Sequence, residues 1–339
     1  MSAVVAIISR SSYAIAPTTV AVALFVANAI AQPEFLSTSN WTTTLAVAAP
    51  FIVTAMAQAF PLMSGNGGLD LSVGPFASFI SALTAAKLIP AGIDNIFLLL
   101  PVALAIGFAA GAINGWLIAY LRLPPIIATL GTFLFYSGAS AELLPDPGGE
   151  IPKWMITMNG DVGGVPGILI VLAGITVCWL LLSRTAYVRN LLAVGGDIRT
   201  AYTAGINVNL TRVVAYGLAG TLAALAGLLL TGLLQSGDAK VGGPYTVYSL
   251  TAVALGGIAL AGGRGGLFGA AMGGVVLYLI QNLLTVAHVS VYQLDIANGV
   301  LLIGALAVNE ALEHFRKRRA LSGGRARSQP SRPVAETGA

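Results

Sequence analysis

The chain has 339 residues, of which 9% are charged, against about 25% in an ordinary soluble domain, while 56% are hydrophobic and the mean hydropathy is +0.85. This excludes a pair of soluble domains and fits a polytopic all-α transmembrane bundle, because about 20 apolar residues cross a bilayer core of about 30 Å. A net charge of +4 is no mark of nucleic-acid binding here, since seven of the seventeen basic residues lie between Arg316 and Arg332, flanking an apolar segment.

Apolar segments fall at about 13–32, 41–63, 71–90, 96–121, 125–144, 165–183, 211–235, 246–262, 267–287 and 292–312. The first, with Arg10 before it and Ala29-Ile30-Ala31 at its end, imitates a cleavable leader, but its apolar run is nearer a full span. With the N-terminus inside, the inner segments carry Arg10, Arg122, Arg184, Arg189, Arg199, Arg212, Arg264 and the seven tail cations. The outer loops carry only Lys87, Lys153 and Lys240. Basic residues gather on the cytoplasmic side of membrane proteins, so ten spans with both termini cytoplasmic are expected. Residues 1–312 then form the transmembrane domain, 184–212 a cytoplasmic loop within it, and 313–339 a basic, disordered cytoplasmic tail. The single Cys178 permits no intrachain disulfide and reads as a small packing residue.

An internal repeat runs through these segments. Gly107, Gly111 and Gly115 form a GxxxGxxxG pattern in the fourth segment, and Gly265, Gly269 and Gly273 form one in the ninth. The register continues to Tyr120-Leu121 and Tyr278-Leu279. An offset of five spans reverses direction through the membrane, so spans 2–5 and 7–10 are expected to be inverted repeats. The glycines are expected at close helix contacts, where small residues let backbones approach. Two glycine-rich junctions, Ser64 to Gly74 and Gly237 to Pro244, interrupt the apolar pattern and read as broken or re-entrant segments, a tight turn being the alternative.

Catalytic patterns are missing. There is no GxxxxGK[ST] phosphate loop, HExxH or GxSxG, and His288 and His314 are the only histidines. No enzyme chemistry and no metal are therefore expected in this chain. Asp70 and Asp295 fall at span ends and Glu310 near the basic tail, so no carboxylate sits centrally as an ion-coupled carrier would require. Uncharged polar residues recur instead: Asn114, Thr129, Thr132, Gln281, Asn282, Gln293 and Asn298. They are candidates to line a pathway for a neutral hydroxylated solute, the alternative for each being a hydrogen bond between helices.

The longest inner connection, Arg184 to Arg212, holds a short polar helix expected from Asp197 to Ala204, capped by Asp197 and stopped by Gly205. It suits docking to a separate nucleotide-hydrolysing subunit, or is an ordinary interfacial helix.

Four stretches carry a family resemblance. Gly67-Gly68-Leu69-Asp70-Leu71-Ser72-Val73-Gly74 resembles GG[IL]DLSVG, and Pro124-Pro125-Ile126-Ile127-Ala128-Thr129-Leu130-Gly131-Thr132 resembles PPF[IV]xTLGT. Ala193-Val194-Gly195-Gly196-Asp197 through Ala201 to Gly205-Ile206-Asn207-Val208 is similar to AxGGN…A…SGI.V. Finally, Ala254-Leu255-Gly256-Gly257 to Gly262-Gly263-Arg264-Gly265-Gly266 resembles VLGGxxxxGGxG. In this order, over about residues 40–310, they resemble the ten-span permease subunits of ribose-type ABC importers of the bacterial inner membrane. The resemblance implies a permease dimer with a second copy or paralogue, two cytoplasmic ATPases that hold the ATP and Mg, and an extracytoplasmic solute-binding protein. It implies that the loop from Asp197 to Gly205 is the coupling segment, with Gly195, Gly196, Asp197, Ala201 and Gly205 as its expected residues. Asn66, Gly68, Asp70 and Ser72 are candidates to shape an inner-side gate. The chain departs from the family at Tyr202-Thr203-Ala204 and Tyr248-Ser249-Leu250. The solute is thus expected to be a monosaccharide or similar polyol, with a nucleoside or branched-chain amino acid, or a carrier or channel without ATPase, as alternatives.

Overall fold

The computed structural model describes residues 15–327. Thirteen α-helices and one short β-ribbon are found among them. They are α1 (Ile15–Ala31), α2 (Thr38–Met63), α3 (Val73–Leu83, prolonged by a π turn Thr84–Leu88), α4 (Ile96–Ala119), α5 (Pro125–Leu143), α6 (Lys153–Asn159), α7 (Gly167–Ser183), α8 (Ala186–Gly196), α9 (Ile198–Thr203), α10 (Val208–Leu234), α11 (Tyr245–Leu255), α12 (Leu267–Val286) and α13 (Val291–Arg327).

A helix falls on every one of the ten apolar segments, but they are not ten equal spans. Six helices, α2, α4, α5, α10, α12 and α13, are long and apolar enough to cross a bilayer, and α7 with α8 makes a seventh only as a pair bent by 77°. The others, α1, α3 and α11, are shorter. α3 starts at Val73 after a glycine-rich junction, and α11 stops at Leu255 where Gly256-Gly257 follows, since glycine is a poor helix former. Between α5 and α7 the chain adds α6 and a β-ribbon, β1 (Asp161–Val162) against β2 (Val165–Pro166), whose turn Gly163-Gly164 takes positive φ at both residues. The basic stretch expected as a tail is helical to Arg327 in α13; its remainder, 328–339, and residues 1–14 with Arg10 lie outside the described residues.

The centre is α10, which packs along α4, α2 and α3, while α12 lies against α2 and α11. Gly107, Gly111 and Gly115 all face α10: a Cβ at these positions would run into Gly220, the Tyr216 carbonyl and Val213 respectively. The second pattern is used differently. A Cβ on Gly273 would strike the Ala252 carbonyl of α11, and the Gly269 carbonyl occupies the space beside Gly256. Gly265 is not a helix-packing residue at all, because α12 starts at Leu267 and Gly265 sits in the preceding loop with φ +135°. Cys178 lies on the exposed face of α7 rather than packed inside.

The loops sort to two ends. Gly148 and Gly237, both from expected outer loops, pair through reciprocal N–H···O bonds of 3.0 and 2.8 Å. At the other end the expected inner loops meet, Gly65 and Gly263 both lying against Gly195.

Candidate functional site: two broken segments and a lever

After α2 the chain turns back through Gly65, Asn66 and Gly67, all with positive φ (75°, 58° and 64°), a conformation glycine adopts without steric cost and asparagine with little. The returning strand of backbone carries Asp70 back beside α2, where the Gln58 amide donates to the Asp70 carbonyl (2.9 Å) and accepts from the Asp70 N–H (3.0 Å). Gly68 is buried against the Pro61 carbonyl. Asp70 is 2% exposed. Its Oδ1 accepts from the Ser72 N–H (2.9 Å) and Ser72 Oγ (2.6 Å), and Asn114 of α4 donates to Ser72 Oγ (2.9 Å). Thr129 of α5 closes the cluster by donating to Pro125 O (2.9 Å) and, at 3.4 Å, to Leu69 O. The Tyr136 ring stands edge-on to Phe76 at 4.9 Å and, with Asp70, Ser72 and Gly111, walls a cavity of about 10 Å³. Asp70, Ser72, Asn114 and Thr129 thus form one buried polar cluster at the start of α3.

The second junction is its counterpart. After α10 ends at Gln235 (φ 55°) the backbone runs unwound along α3, with Asp238 N–H donating to Ser81 Oγ (3.1 Å) and Gly242 N–H to Ser78 Oγ (2.8 Å). Only there does α11 begin, and Thr246 Oγ donates to Leu71 O (3.2 Å). The N-termini of the two short helices therefore meet inside the bundle. Each brings the positive end of its helix dipole to that point. On the α3 side the Asp70 carboxyl accepts from the Ser72 N–H, while at α11 the first N–H groups of Tyr245, Thr246 and Val247 donate to the Gly242, Gly243 and Pro244 carbonyls.

The remaining polar candidates divide into a separate set. Gln281 donates to Asn298 (3.1 Å), joining α12 to α13, and Asn282 donates to Asn28 of α1 (2.9 Å), which itself donates to Leu279 O (3.2 Å). These are hydrogen bonds between helices, the alternative reading of such residues. Gln293 caps the start of α13, accepting from Ser290 N–H and Oγ (both 3.0 Å), and Thr132 bonds back to its own helix at Thr129 O (3.2 Å). Sequence reasoning missed Gln58, Asn28 and Asn309, which donates to Ala254 O (3.1 Å). Their signal was present: each is an uncharged polar residue inside an apolar segment.

The lever formed by the 184–212 connection is more extensive than a single short helix. Thr185 turns the chain sharply after α7, accepting from Tyr187 N–H (3.3 Å), and starts α8. Asp197 then ends α8 and caps α9, accepting from Thr200 N–H (2.8 Å); that bond holds the Asp197 carboxyl below the usual carboxylate range. α9 closes as a Schellman motif, Gly205 (φ 80°) donating to Tyr202 O (3.0 Å) and Ile206 to Ala201 O (3.1 Å). Ala201 is buried with Val194, Val208 and Ile206, which fastens α9 to α8 and α10. Gly196 lies beside Gly263, and Gly195 lies backbone to backbone on Met63, Gly65 and Gly263, with Gly263 N–H donating to Met63 O (3.3 Å). The lever thus rests on both the α2–α3 and the α11–α12 loops.

No group of His, Cys, Asp and Glu that could hold a metal exists among the described residues. No solved structure gives a significant match. Among proteins of known name, the ribose import permease of Bacillus subtilis is 34% identical over 286 residues, covering 82% of this chain and 87% of that protein. The D-allose transport system permease of Escherichia coli is 29% identical (83% and 86% covered), and the autoinducer 2 import system permease LsrC of Salmonella choleraesuis is 30% identical (86% and 84%). Residues 40–308 match the family described as branched-chain amino acid transport system / permease component, a span that includes both broken segments and the lever, and the chain belongs to that family.

Proposed function

We propose that this chain is the membrane permease of an ATP-binding-cassette importer for a monosaccharide or similar polyol. The observation that carries the reading is the match over residues 40–308 together with relatives named for ribose, D-allose and autoinducer 2. The chain itself performs no catalysis; ATP and Mg are held by two cytoplasmic ATPase subunits, and an extracytoplasmic binding protein delivers the solute. A second permease copy or paralogue completes the pathway, for which the exposed apolar face of α5, with Ile127, Leu134 and Phe135, is available.

In this reading both termini are cytoplasmic, ten segments traverse the bilayer, and spans 2–5 and 7–10 are inverted repeats. The two half-helix junctions support it, since one is unwound before α3 and the other before α11, the second element of each repeat. Gly195, Gly196, Asp197, Ala201 and Gly205 form the coupling segment, and Asn66, Gly68, Asp70, Ser72, Asn114 and Thr129 shape the gate. Gln281, Asn282, Gln293, Asn298 and Thr132 serve the scaffold rather than the pathway, as their hydrogen bonds favour.

The test is reconstitution of the permease with its ATPase and binding protein in proteoliposomes. ATP-dependent uptake of ribose or allose is expected, with leucine and a nucleoside as comparison solutes. Uptake of leucine alone would move the chain to the amino-acid branch, and uptake without ATPase subunits would make it a carrier or channel.

A further inference from the structure

A cavity of about 1010 Å³ opens at the inner end of the bundle, between the α4–α5 loop, α9 and the first turn of α10. Three arginines line it: Arg122, Arg199 and Arg212. Among the described residues no aspartate or glutamate lines it. Arg212 is only 8% exposed, and its Nη2 is buried without a hydrogen-bond partner among the described residues. A buried guanidinium nitrogen left unpaired is costly, and two further like charges around the same space raise that cost. The remedy is an anion, and the forked donors of arginine match a phosphate.

The rest of the lining narrows the choice. Asn66, Tyr202, Thr203 and Asn209 are polar and uncharged, Ile118, Leu123 and Pro125 are apolar, and Leu121, Ile126 and Ile127, next to these in sequence, have exposed side chains. A cationic floor joined to an apolar flank, at the level where α4 ends and α5 begins, fits an amphiphile with an anionic head and hydrocarbon tails. We propose that this cavity binds the phosphate headgroup of one anionic phospholipid from the inner leaflet, with its acyl chains along the α5 flank. Because Arg199 belongs to α9 while Arg122 and Arg212 belong to the membrane bundle, the bound lipid bridges the lever to the spans.

The probe is phosphatidylglycerol against phosphatidylcholine, offered to the purified full-length permease in mixed nanodiscs and read by native mass spectrometry of the lipid retained. One phosphatidylglycerol per chain is expected, preferred about tenfold. Arg122→Asn, in which Asn tolerates the left-handed backbone there (φ 57°), and Arg199→Gln are both surface changes that spare the fold. Each is expected to lower the preference about fivefold, the effect of one basic group near an anionic surface. Equal retention of the two lipids by the unaltered protein, or a preference unchanged in both variants, would overturn the proposal. So would protection of the arginines from phenylglyoxal by inorganic phosphate as strong as that by phosphatidylglycerol, which would assign the site to a soluble anion. Protection that arises in phosphatidylcholine only when the ATPase is bound would assign the arginines to protein carboxylates, and equally overturn it.

Discussion

Gln58 of α2 holds the backbone of Asp70 on both sides, donating to its carbonyl at 2.9 Å and accepting from its N–H at 3.0 Å. Two buried backbone groups that left the helix ladder at the α2–α3 junction are thereby satisfied by one side chain. Replacement by an isosteric apolar residue, Gln58→Leu, leaves both unpaired, at about 1–3 kcal/mol each. The expected result is a drop of roughly 5 °C or more in thermal unfolding of the detergent-purified protein, with uptake reduced in parallel. An unchanged melting profile would show that the junction is held by other means.

Helix packing gives a graded test. Gly111→Leu and Gly273→Leu each drive a side chain into a facing carbonyl, of Tyr216 and Ala252 respectively, and overpacking of this kind costs about 1–3 kcal/mol or more. Gly304, on α13, has nothing within 4 Å of its Cβ position among the described residues. Folded yield after extraction is expected to fall in the first two and to stay normal in Gly304→Leu.

Orientation is checked by labelling single cysteines introduced at Arg199 and Asp146, after Cys178 is replaced by Ala. Position 199 is expected to react only from the cytoplasmic side and position 146 only from outside. Labelling of 199 from outside would invert the proposed topology.

The lever makes the sharpest demand. Gly205→Pro removes the N–H that bonds to Tyr202 O and forbids the φ of 80°, and Ala201→Arg forces a charge into the contact with Val194 and Val208. Both changes lie outside the spans, so insertion and permease pairing are expected to survive. Uptake and binding-protein-stimulated ATP hydrolysis are expected to fall together, by about tenfold or more if the docking contact is worth the 1.4 kcal/mol that a factor of ten requires. Full stimulated hydrolysis in both variants would make α9 an ordinary connector.

The Asp197 cap sets a pH expectation for the same element. Its carboxyl titrates below the usual range because Thr200 N–H donates to the charged form. A depressed carboxylate contributes fully above its unfolded value and is lost as pH falls through the folded one. The Thr200 amide is therefore expected to stay protected from hydrogen exchange at neutral pH and to lose protection only in acid, whereas Asp197→Ala is expected to lose it at every pH.

Apolar runs and cap chemistry were legible from composition and local pattern, and Asp197 and Gly205 stand where those rules put them. The glycine junctions at 64–74 and 237–244 were also readable as interruptions. Their meeting was not, because the bond from Thr246 to Leu71 joins residues 175 apart in sequence, and no local rule carries that distance. α8 escaped notice because a helix of eleven residues after a sharp turn, Ala186–Gly196, merges in sequence with the polar loop around it. The second GxxxGxxxG misled at Gly265, since periodicity does not tell a helical glycine from one in the loop just before the helix. Gln281 and Asn298 were legible as polar, but their bond to one another, joining α12 to α13, is visible only in the packed structure.

At the joint where Gly195 rests on Met63, Gly65 and Gly263, main chain touches main chain with no side chains between them. Side chains act as springs, taking up small displacements by changing rotamer before their neighbours feel anything. A joint made of bare peptide groups has no such slack. Any shift of the end of α8 is passed undamped to the loops before α3 and α12, so this end of the bundle behaves as one stiff plate rather than as three separate loops.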